Sequence, residues 1–247
     1  MPTLSGSEEQ TASVDCLYDG AVLPDLQVST LRNVDRLFPT RNVACGGPVH
    51  PLPASARPWP ALRFEHAGRS YDLFDYLALN RVSGLAVVKT GALVFEHYAL
   101  GNTPRTRWTS MSMAKSISAT LVGAALHDGH IAGLDAPVCA YVPALAGSAY
   151  DGVTIRKVLQ MTSGVRWNET YTDPHSDRRR MLQEQTSQQA GAIIRWMATL
   201  PRAAEPGSVW NYSTGETHVL GAVLRGAVGR PLAQYLSERI WARFGME

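Results

Sequence analysis

The sequence predicts an α/β chain of the α+β kind, a helical subdomain beside an antiparallel sheet, and three observations carry that reading. Two apolar, β-branched runs, residues 82–88 and 92–98, flank Lys89-Thr90-Gly91, the pattern of a β-hairpin. From Thr109 onward the apolar residues recur at helical rather than strand spacing. Between these stretches Gly and Pro fall where helices stop and turns begin.

Taken in order, residues 1–60 are rich in Pro, Gly and Asn, show no sustained period and end in Pro51-Leu52-Pro53 and Pro58-Trp59-Pro60. They predict an irregular N-terminal arm with little helix, and a domain that starts at residue 61. Residues 71–77 predict a short helix, and 82–98 the hairpin. A long helix is expected over 109–128: Met113, Ile117, Leu121, Ala124, Ala125 and Asp128 trace one stripe, Thr109 or Ser110 can cap it, and Gly129 stops it. Prolines 137 and 143 bracket a turn and a short helix, and Thr154 caps a helix that ends at Gly164. Residues 165–185, with Arg178-Arg179-Arg180, predict a long solvated loop, whose three arginines could also attract a carboxylate-bearing substrate. Three more helices follow within residues 154–247, marked by Ala190, Ile193, Ile194 and Met197, by Val219, Leu220, Val223 and Leu224, and by Leu232, Leu236 and Ile240 after Pro231.

Composition excludes several classes. The 23 Lys+Arg against 21 Asp+Glu leave a net charge of +2, which gives no footprint for nucleic acid and no polybasic membrane surface. Cys16, Cys45 and Cys139 form no C-x-x-C and no zinc spacing, so they are expected as free thiols in a reducing compartment. The first thirty residues show no basic start followed by an apolar stretch, which places the chain in the cytoplasm. Of the 23 basic residues only Lys89, Lys115 and Lys157 are lysine, so a lysine in an apolar setting asks for a reason.

On the long helix stands Ser112-Met113-Ala114-Lys115, an S-x-x-K. Three apart on a helix, the two side chains share a face and the amine can reach the hydroxyl. Ser112 falls in the first turn, where free backbone N–H groups favour developing negative charge. Lys115 lies among Met113, Ala114, Ile117 and Ala119, and desolvation there is expected to lower its pKa. A neutral amine beside a serine can serve as general base. Spacing alone also fits a solvated lysine on an amphipathic helix. The second constellation is 210–217, Trp-Asn-Tyr-Ser-Thr-Gly-Glu-Thr, in which Tyr212 occupies a polar turn before an apolar helix, where a phenol can project into a cleft.

These segments, in this order, resemble the serine β-lactamase and penicillin-binding-protein superfamily, and within it the class C-like carboxylesterases and 6-aminohexanoate-dimer hydrolases. The resemblance runs over residues 24–247 and includes 87–98, the S-x-x-K helix, 153–156, 160–165 and 211–217. It implies a β-lactamase/transpeptidase-like fold, Ser112 as nucleophile, and Lys115 and Tyr212 as the pair that moves its proton. The backbone N–H of Ser112 would be one oxyanion donor, Tyr171 and Trp210 candidates to line the substrate site, and Thr214 a hydrogen-bond donor where the family commonly has the Asn of Y-x-N. The missing carboxamide favours esters or unusual amides over β-lactams. No cofactor and no metal are implied; His127-Asp128-Gly129-His130 coincides with a helix end.

The family's third motif, K-T-G or a variant, should follow the tyrosine motif on a strand, whereas Lys89-Thr90-Gly91 precedes Ser112 and belongs to a turn. The segment after Tyr212 reads as helices, so the sheet is expected to be incomplete and the chain to be an N-terminal portion that needs a C-terminal polypeptide or a second copy. The expected activity is hydrolysis of a small ester or amide through an acyl-enzyme. A non-catalytic remnant or binding module of the same fold is the alternative, and a β-lactamase or D-Ala-D-Ala carboxypeptidase fits less well.

Overall fold

The computed structural model describes residues 9–57 and 59–247, so the first eight of the thirty residues on which the leader expectation rests lie outside the described residues. Where the sequence predicts an arm with little helix, two helices form, α1 (Val14–Asp19) and α2 (Pro24–Arg32). Pro24 opens α2 with its φ already set, and Asp25 and Arg32 complement the helix dipole at the two ends. Periodicity misses α2 because the residues it buries, Ser29 and Thr30, are polar. They are satisfied by hydrogen bonds: Ser29 Oγ donates to the Gln10 carbonyl at 2.7 Å, and Thr30 Oγ1 accepts from the Ala12 N–H at 2.9 Å.

The chain divides into two compact units. The first comprises residues up to Val14, Val22–Leu37 and His50–Thr109. In it, β1 (Arg63–His66) pairs antiparallel with β2 (Arg69–Asp72) across a turn at Ala67 and Gly68, both at positive φ. Asp72 then caps α3 (Leu73–Leu79) through a reciprocal box, its carboxylate accepting from the Asp75 N–H while Asp75 accepts from the Asp72 N–H, each at 2.9 Å. The predicted helix at 71–77 therefore starts two residues later, after the strand. The predicted hairpin is β3 (Gly84–Lys89) paired antiparallel with β4 (Ala92–Tyr98). Thr90 and Gly91 turn the chain at φ 53° and 76°, the left-handed pair that matches strand twist, so the K-T-G letters are a hairpin tip. The two hairpins are separate two-stranded sheets.

The second unit comprises Asp15–Ala21, Phe38–Val49 and Ser110–Glu247. Its helices are α4 (Met113–His127), α5 (Ile155–Leu159), α6 (Asp177–Thr186), α7 (Ala192–Met197), α8 (Thr214–Val228) and α9 (Leu232–Leu236). Leu121, Val122 and Ala125 of α4 and Val219, Leu220, Val223 and Leu224 of α8 form the centre of one apolar core with Ile155, Val158 and Met197. Each fully buried Leu, Ile or Met contributes about 1.5–3 kcal/mol relative to exposure, so this core rather than helix propensity holds the short helices. Thr154 caps α5 as expected, its Oγ1 accepting from the Lys157 N–H, but the helix ends at Leu159 rather than at Gly164, since Met161 turns to φ 56°.

Two expectations are corrected. Residues 165–185 are not one loop, because Ser176 caps α6 and its Oγ accepts from the Arg179 N–H; the three arginines lie inside this helix. Arg178 is 6% exposed rather than solvated. The α4 stripe also begins later than predicted, since Met113 is 66% exposed and burial starts at Leu121. At the other end of α4, Asp128 accepts from the Tyr235 hydroxyl at 2.7 Å and pairs with Arg239, which engages its carboxylate at a helix end.

Candidate active site

The start of α4 is built to present Ser112. Met111, immediately before it, holds φ 45°, a left-handed conformation that costs a residue with a side chain about 1–3 kcal/mol. Ser112 is the helix N-cap, and the next N–H groups, of Met113, Ala114 and Lys115, close tight turns onto the carbonyls of Ser110, Met111 and Ser112. Among the described residues, the Ser112 N–H meets no hydrogen-bond acceptor. A free amide at the positive end of a fifteen-residue helix, on the same residue as an exposed hydroxyl, is a ready donor to an anionic oxygen.

Lys115 Nζ donates to Ser112 Oγ at 3.1 Å, and the Tyr212 hydroxyl donates to the same oxygen at 2.9 Å. Lys115 Nζ also lies 5.1 Å from the centre of the Tyr212 ring. The structure thus brings the three sequence-predicted residues together around one oxygen. It does not provide the apolar enclosure expected around Lys115: Met113, Ala114 and Ser116 are exposed, and Lys115 itself is half-buried.

Tyr212 is aimed by its turn and by the first residues of α8. Asn211 Nδ2 donates to the Trp167 carbonyl, and the Asn211 N–H to the Met161 carbonyl, both at 2.9 Å. Ser213 caps α8, its Oγ accepting from the Glu216 N–H at 3.2 Å. The S-x-x-E signature is only half used, because the Glu216 carboxylate turns into the core and accepts from Ser163. Gly215 permits the approach of this turn, since a Cβ there would stand 2.6 Å from Met197 Cε and 2.7 Å from Trp167 Cζ3.

The three weaker candidates sit differently. Trp210 is 66% exposed, its ring centre 6.4 Å from that of Tyr212. Tyr171 is 45% exposed, and its hydroxyl donates to Glu169 at 2.9 Å. Burial and the Glu169 carboxylate push the Tyr171 phenol up from its ordinary value. Thr214, expected to donate outward, instead gives both its hydroxyl and its N–H to Glu169.

Two residues escape sequence reasoning. Glu169 is a hub: Oε1 accepts from Tyr171 and Thr214 Oγ1, while Oε2 accepts from the Thr214 N–H and Trp167 Nε1. Its charge faces the N-terminus of α8, where the dipole favours it. No spacing in the sequence joins Glu169 to Thr214, because the two lie 45 positions apart. His218, one turn into α8, is half-buried, and desolvation together with the positive charges of Arg178 and Lys115 pushes it down to about 4, so it is a neutral imidazole at neutral pH. Among the described residues no cluster of His, Cys, Asp and Glu is arranged to hold a metal, and no helix is long and apolar enough to cross a membrane.

Comparison with known proteins places this geometry in context. The family model described as Beta-lactamase matches residues 78–247. A 6-aminohexanoate-dimer hydrolase of Paenarthrobacter ureafaciens is 30% identical over 213 residues, covering 84% of this chain and 52% of the relative. A β-lactamase of Pseudomonas fluorescens is 23% identical over 178 residues, 67% of this chain and 45% of the relative. The chain spans about half the length of the curated relatives it matches. A solved structure from Bacillus anthracis that carries the provisional name 6-aminohexanoate-dimer hydrolase superposes with a TM-score of 0.78 at 22% identity, over 91% of this chain and 60% of that one. The likeness gives the fold as β-lactamase/transpeptidase-like, with helices and small antiparallel sheets.

Proposed function

We propose, for a chain that belongs to the β-lactamase family of serine hydrolases, that Ser112, Lys115 and Tyr212 hydrolyse a small ester or amide through an acyl-enzyme. One observation carries the reading: a single oxygen, Ser112 Oγ, lies 3.1 Å from Lys115 Nζ and 2.9 Å from the Tyr212 hydroxyl. A serine hydroxyl is a weak nucleophile until a neighbour takes its proton, and two such neighbours stand within proton-transfer distance.

In the proposed cycle Ser112 Oγ attacks the carbonyl carbon as its proton passes to the Lys115–Tyr212 pair. The carbonyl oxygen becomes an oxyanion, which the Ser112 N–H can receive. Collapse expels the alcohol or amine, which takes the proton from the pair, and leaves an ester on Ser112. Water, giving its proton to the same pair, then attacks that ester, releases the acid and restores the hydroxyl. The 6-aminohexanoate-dimer hydrolase similarity at 30% identity supports a linear amide or ester as substrate. Thr214 supports the same choice, because a threonine whose donors are engaged by Glu169 offers no carboxamide to a β-lactam or peptide. The three cysteines, which form no C-x-x-C and no zinc spacing, support a reducing, cytoplasmic setting.

A second reading, a binding or remnant module of the same fold, draws on the exposure of Ser112 and of Met113 beside it, since a site open to water gains less from its dipoles. Incubation with a fluorophosphonate, followed by peptide mass mapping, distinguishes the two. Labelling of Ser112 that is lost in Ser112→Ala supports the hydrolase; folded protein that takes up no label overturns it.

A further inference from the structure

Tyr212 sits on a closed ring of bonds. The Asn211 N–H donates to the Met161 carbonyl at 2.9 Å, the chain runs on from Met161 to Ser163, and the Ser163 hydroxyl donates to the Glu216 carboxylate. From Glu216 the first turn of α8 leads back through Ser213, whose Oγ accepts from the Glu216 N–H, to Tyr212. The segment before Tyr212 hangs on the same stretch. The Gly207 N–H donates to the Thr162 carbonyl at 2.7 Å, and the Ala203 and Ala204 N–H groups donate to the Gly164 carbonyl at 2.8 and 3.0 Å. Backbone therefore fixes the ring everywhere except where it closes, and that closure is one side-chain bond, Ser163 to Glu216.

The closing bond is buried, with Ser163 1% and Glu216 3% exposed. Oε1 of Glu216 has the Ser163 hydroxyl, while Oε2 is sealed without a hydrogen-bond partner. The Tyr150 hydroxyl is sealed and unpartnered as well, and it feels the Glu216 charge. The charged groups on the elements packed against α8 have other engagements. Lys115 of α4 donates to Ser112, Arg156 of α5 pairs with Asp135, and Lys157 lies against Gly207. Arg178 of α6 stacks on Tyr18, Arg179 pairs with Asp19, Arg180 with Glu184, and Asp177 with Arg166. Arg195 of α7 donates to the Ala190 carbonyl, α9 carries no charge, and His218 on α8 is neutral. Desolvation therefore dominates at Glu216, and hydrogen bonding to Ser163 only partly offsets it, so the carboxyl keeps its proton up to about 7. As a neutral acid it accepts from Ser163 at no cost in buried charge. As a carboxylate it would be a buried anion without a cation, relieved only by water entering or the side chain leaving, and either parts it from Ser163.

We propose that Glu216 is a positioning residue for Tyr212: as a neutral acid it closes the ring that aims the phenol at Ser112, and its ionisation opens the ring and slows turnover. The site then carries an alkaline limit of its own, set in the core and not by the groups that move the proton. This rests on the reading of Tyr212 as a proton-transfer group, but the ring itself can be read without turnover.

Turnover of a p-nitrophenyl ester is followed against pH in the full chain and in three variants, each shown by urea titration to be folded at the assay temperature. Glu216→Ala opens the ring outright and should lower kcat about 10–10²-fold at every pH, with KM within about twofold; Ser163→Ala should match it. Glu216→Gln keeps an oxygen for Ser163 and cannot ionise. Its kcat should lie within about threefold of the unsubstituted chain near pH 6, and the ratio of the two should rise about tenfold by about pH 8.5. Taking the ratio cancels the titration of Lys115 and Tyr212, which both proteins share. Amide exchange over residues 209–217, read by mass spectrometry, reports the ring without turnover: protection there should fall at least about tenfold in Glu216→Ala, while the α4 core amides around Val122 keep theirs. A kcat for Glu216→Ala within about twofold of the unsubstituted chain, a Glu216→Gln variant as slow as Glu216→Ala, a ratio flat with pH, or unchanged exchange would each overturn the proposal. Should Glu216→Ala fail to fold, Ser163→Ala and the pH ratio still decide it. The expected loss of protection with no ester turnover in any of these proteins would overturn the hydrolase reading alone.

Discussion

Tyr212 donates its phenolic hydrogen to Ser112 Oγ at 2.9 Å across a hundred residues of sequence. The contact depends on two helix starts, one holding each residue, and so ties the geometry of the reactive oxygen to the packing of α4 against α8. Tyr212→Phe removes the hydroxyl and keeps the ring, including its face toward Lys115. Turnover of a p-nitrophenyl ester should fall about 10²–10⁴-fold in kcat, the range for loss of a positioned proton-transfer group. KM should change little, and a variant that retains more than a tenth of the rate would remove Tyr212 from the chemistry.

Much of this pair was readable in sequence because both members follow from local rules: a three-residue spacing on a helix for Ser112 and Lys115, and a polar turn before an apolar helix for Tyr212. The hairpin at 82–98 was readable for the same reason. What escaped depends on contacts between distant residues or on polar burial. Helix α2 buries Ser29 and Thr30, so no apolar stripe announces it. Helix α6 is three arginines long in its first turn, and its register shows only once Ser176 is seen capping it and Arg178 is seen under Tyr18. Glu169 gives no local signal at all; its role exists only because the fold brings Thr214, Trp167 and Tyr171 to one carboxylate.

Gly215 and Gly221 lie on one helix and should respond to alanine in opposite directions. At Gly215 the new methyl would stand 2.7 Å from the rigid Trp167 ring, whereas at Gly221 it would meet nothing nearer than Leu232 Cδ1 at 3.9 Å. Overpacking typically costs about 1–3 kcal/mol, and Gly→Ala inside a helix gains about 0.5–1 kcal/mol. Gly215→Ala should therefore lower stability in urea and, by shifting the turn that carries Tyr212, slow turnover. Gly221→Ala should raise stability and leave turnover alone. The same sign for both would refute the packing argument.

Glu169→Gln keeps the shape of the side chain yet should not be tolerated. Both carboxylate oxygens accept two hydrogen bonds, and an amide would turn an NH2 toward donors that already occupy one of those positions. The orphaned donors should cost about 1–3 kcal/mol of stability. A loss below 0.5 kcal/mol by the same measure, roughly the level of an ordinary surface substitution, would show that the four contacts act as bystanders.

Glu216 and His218 make opposing contributions to stability across the mildly acidic range. Burial raises Glu216 from 4.5 to about 7, so between those values the folded chain holds a proton that the unfolded chain has released. Its contribution is full below about 4.5 and is lost as pH rises through 7. Burial lowers His218 from 6.5 to about 4, so between those values the unfolded chain holds the extra proton. Its contribution is full above 6.5 and is lost as pH falls through 4. From pH 4.5 to 6.5 the two slopes have opposite sign and similar size, each near 1.4 kcal/mol per pH unit at full effect. Glu216→Gln removes the falling slope and should leave a protein whose stability rises by about 2–3 kcal/mol from pH 4.5 to 6.5. His218→Gln should show the reverse, losing about as much over the same interval. Urea midpoints at half-unit pH steps, compared with the unsubstituted chain, read both slopes, and parallel profiles in the two variants would contradict the assignment of these groups as the buried titrating pair.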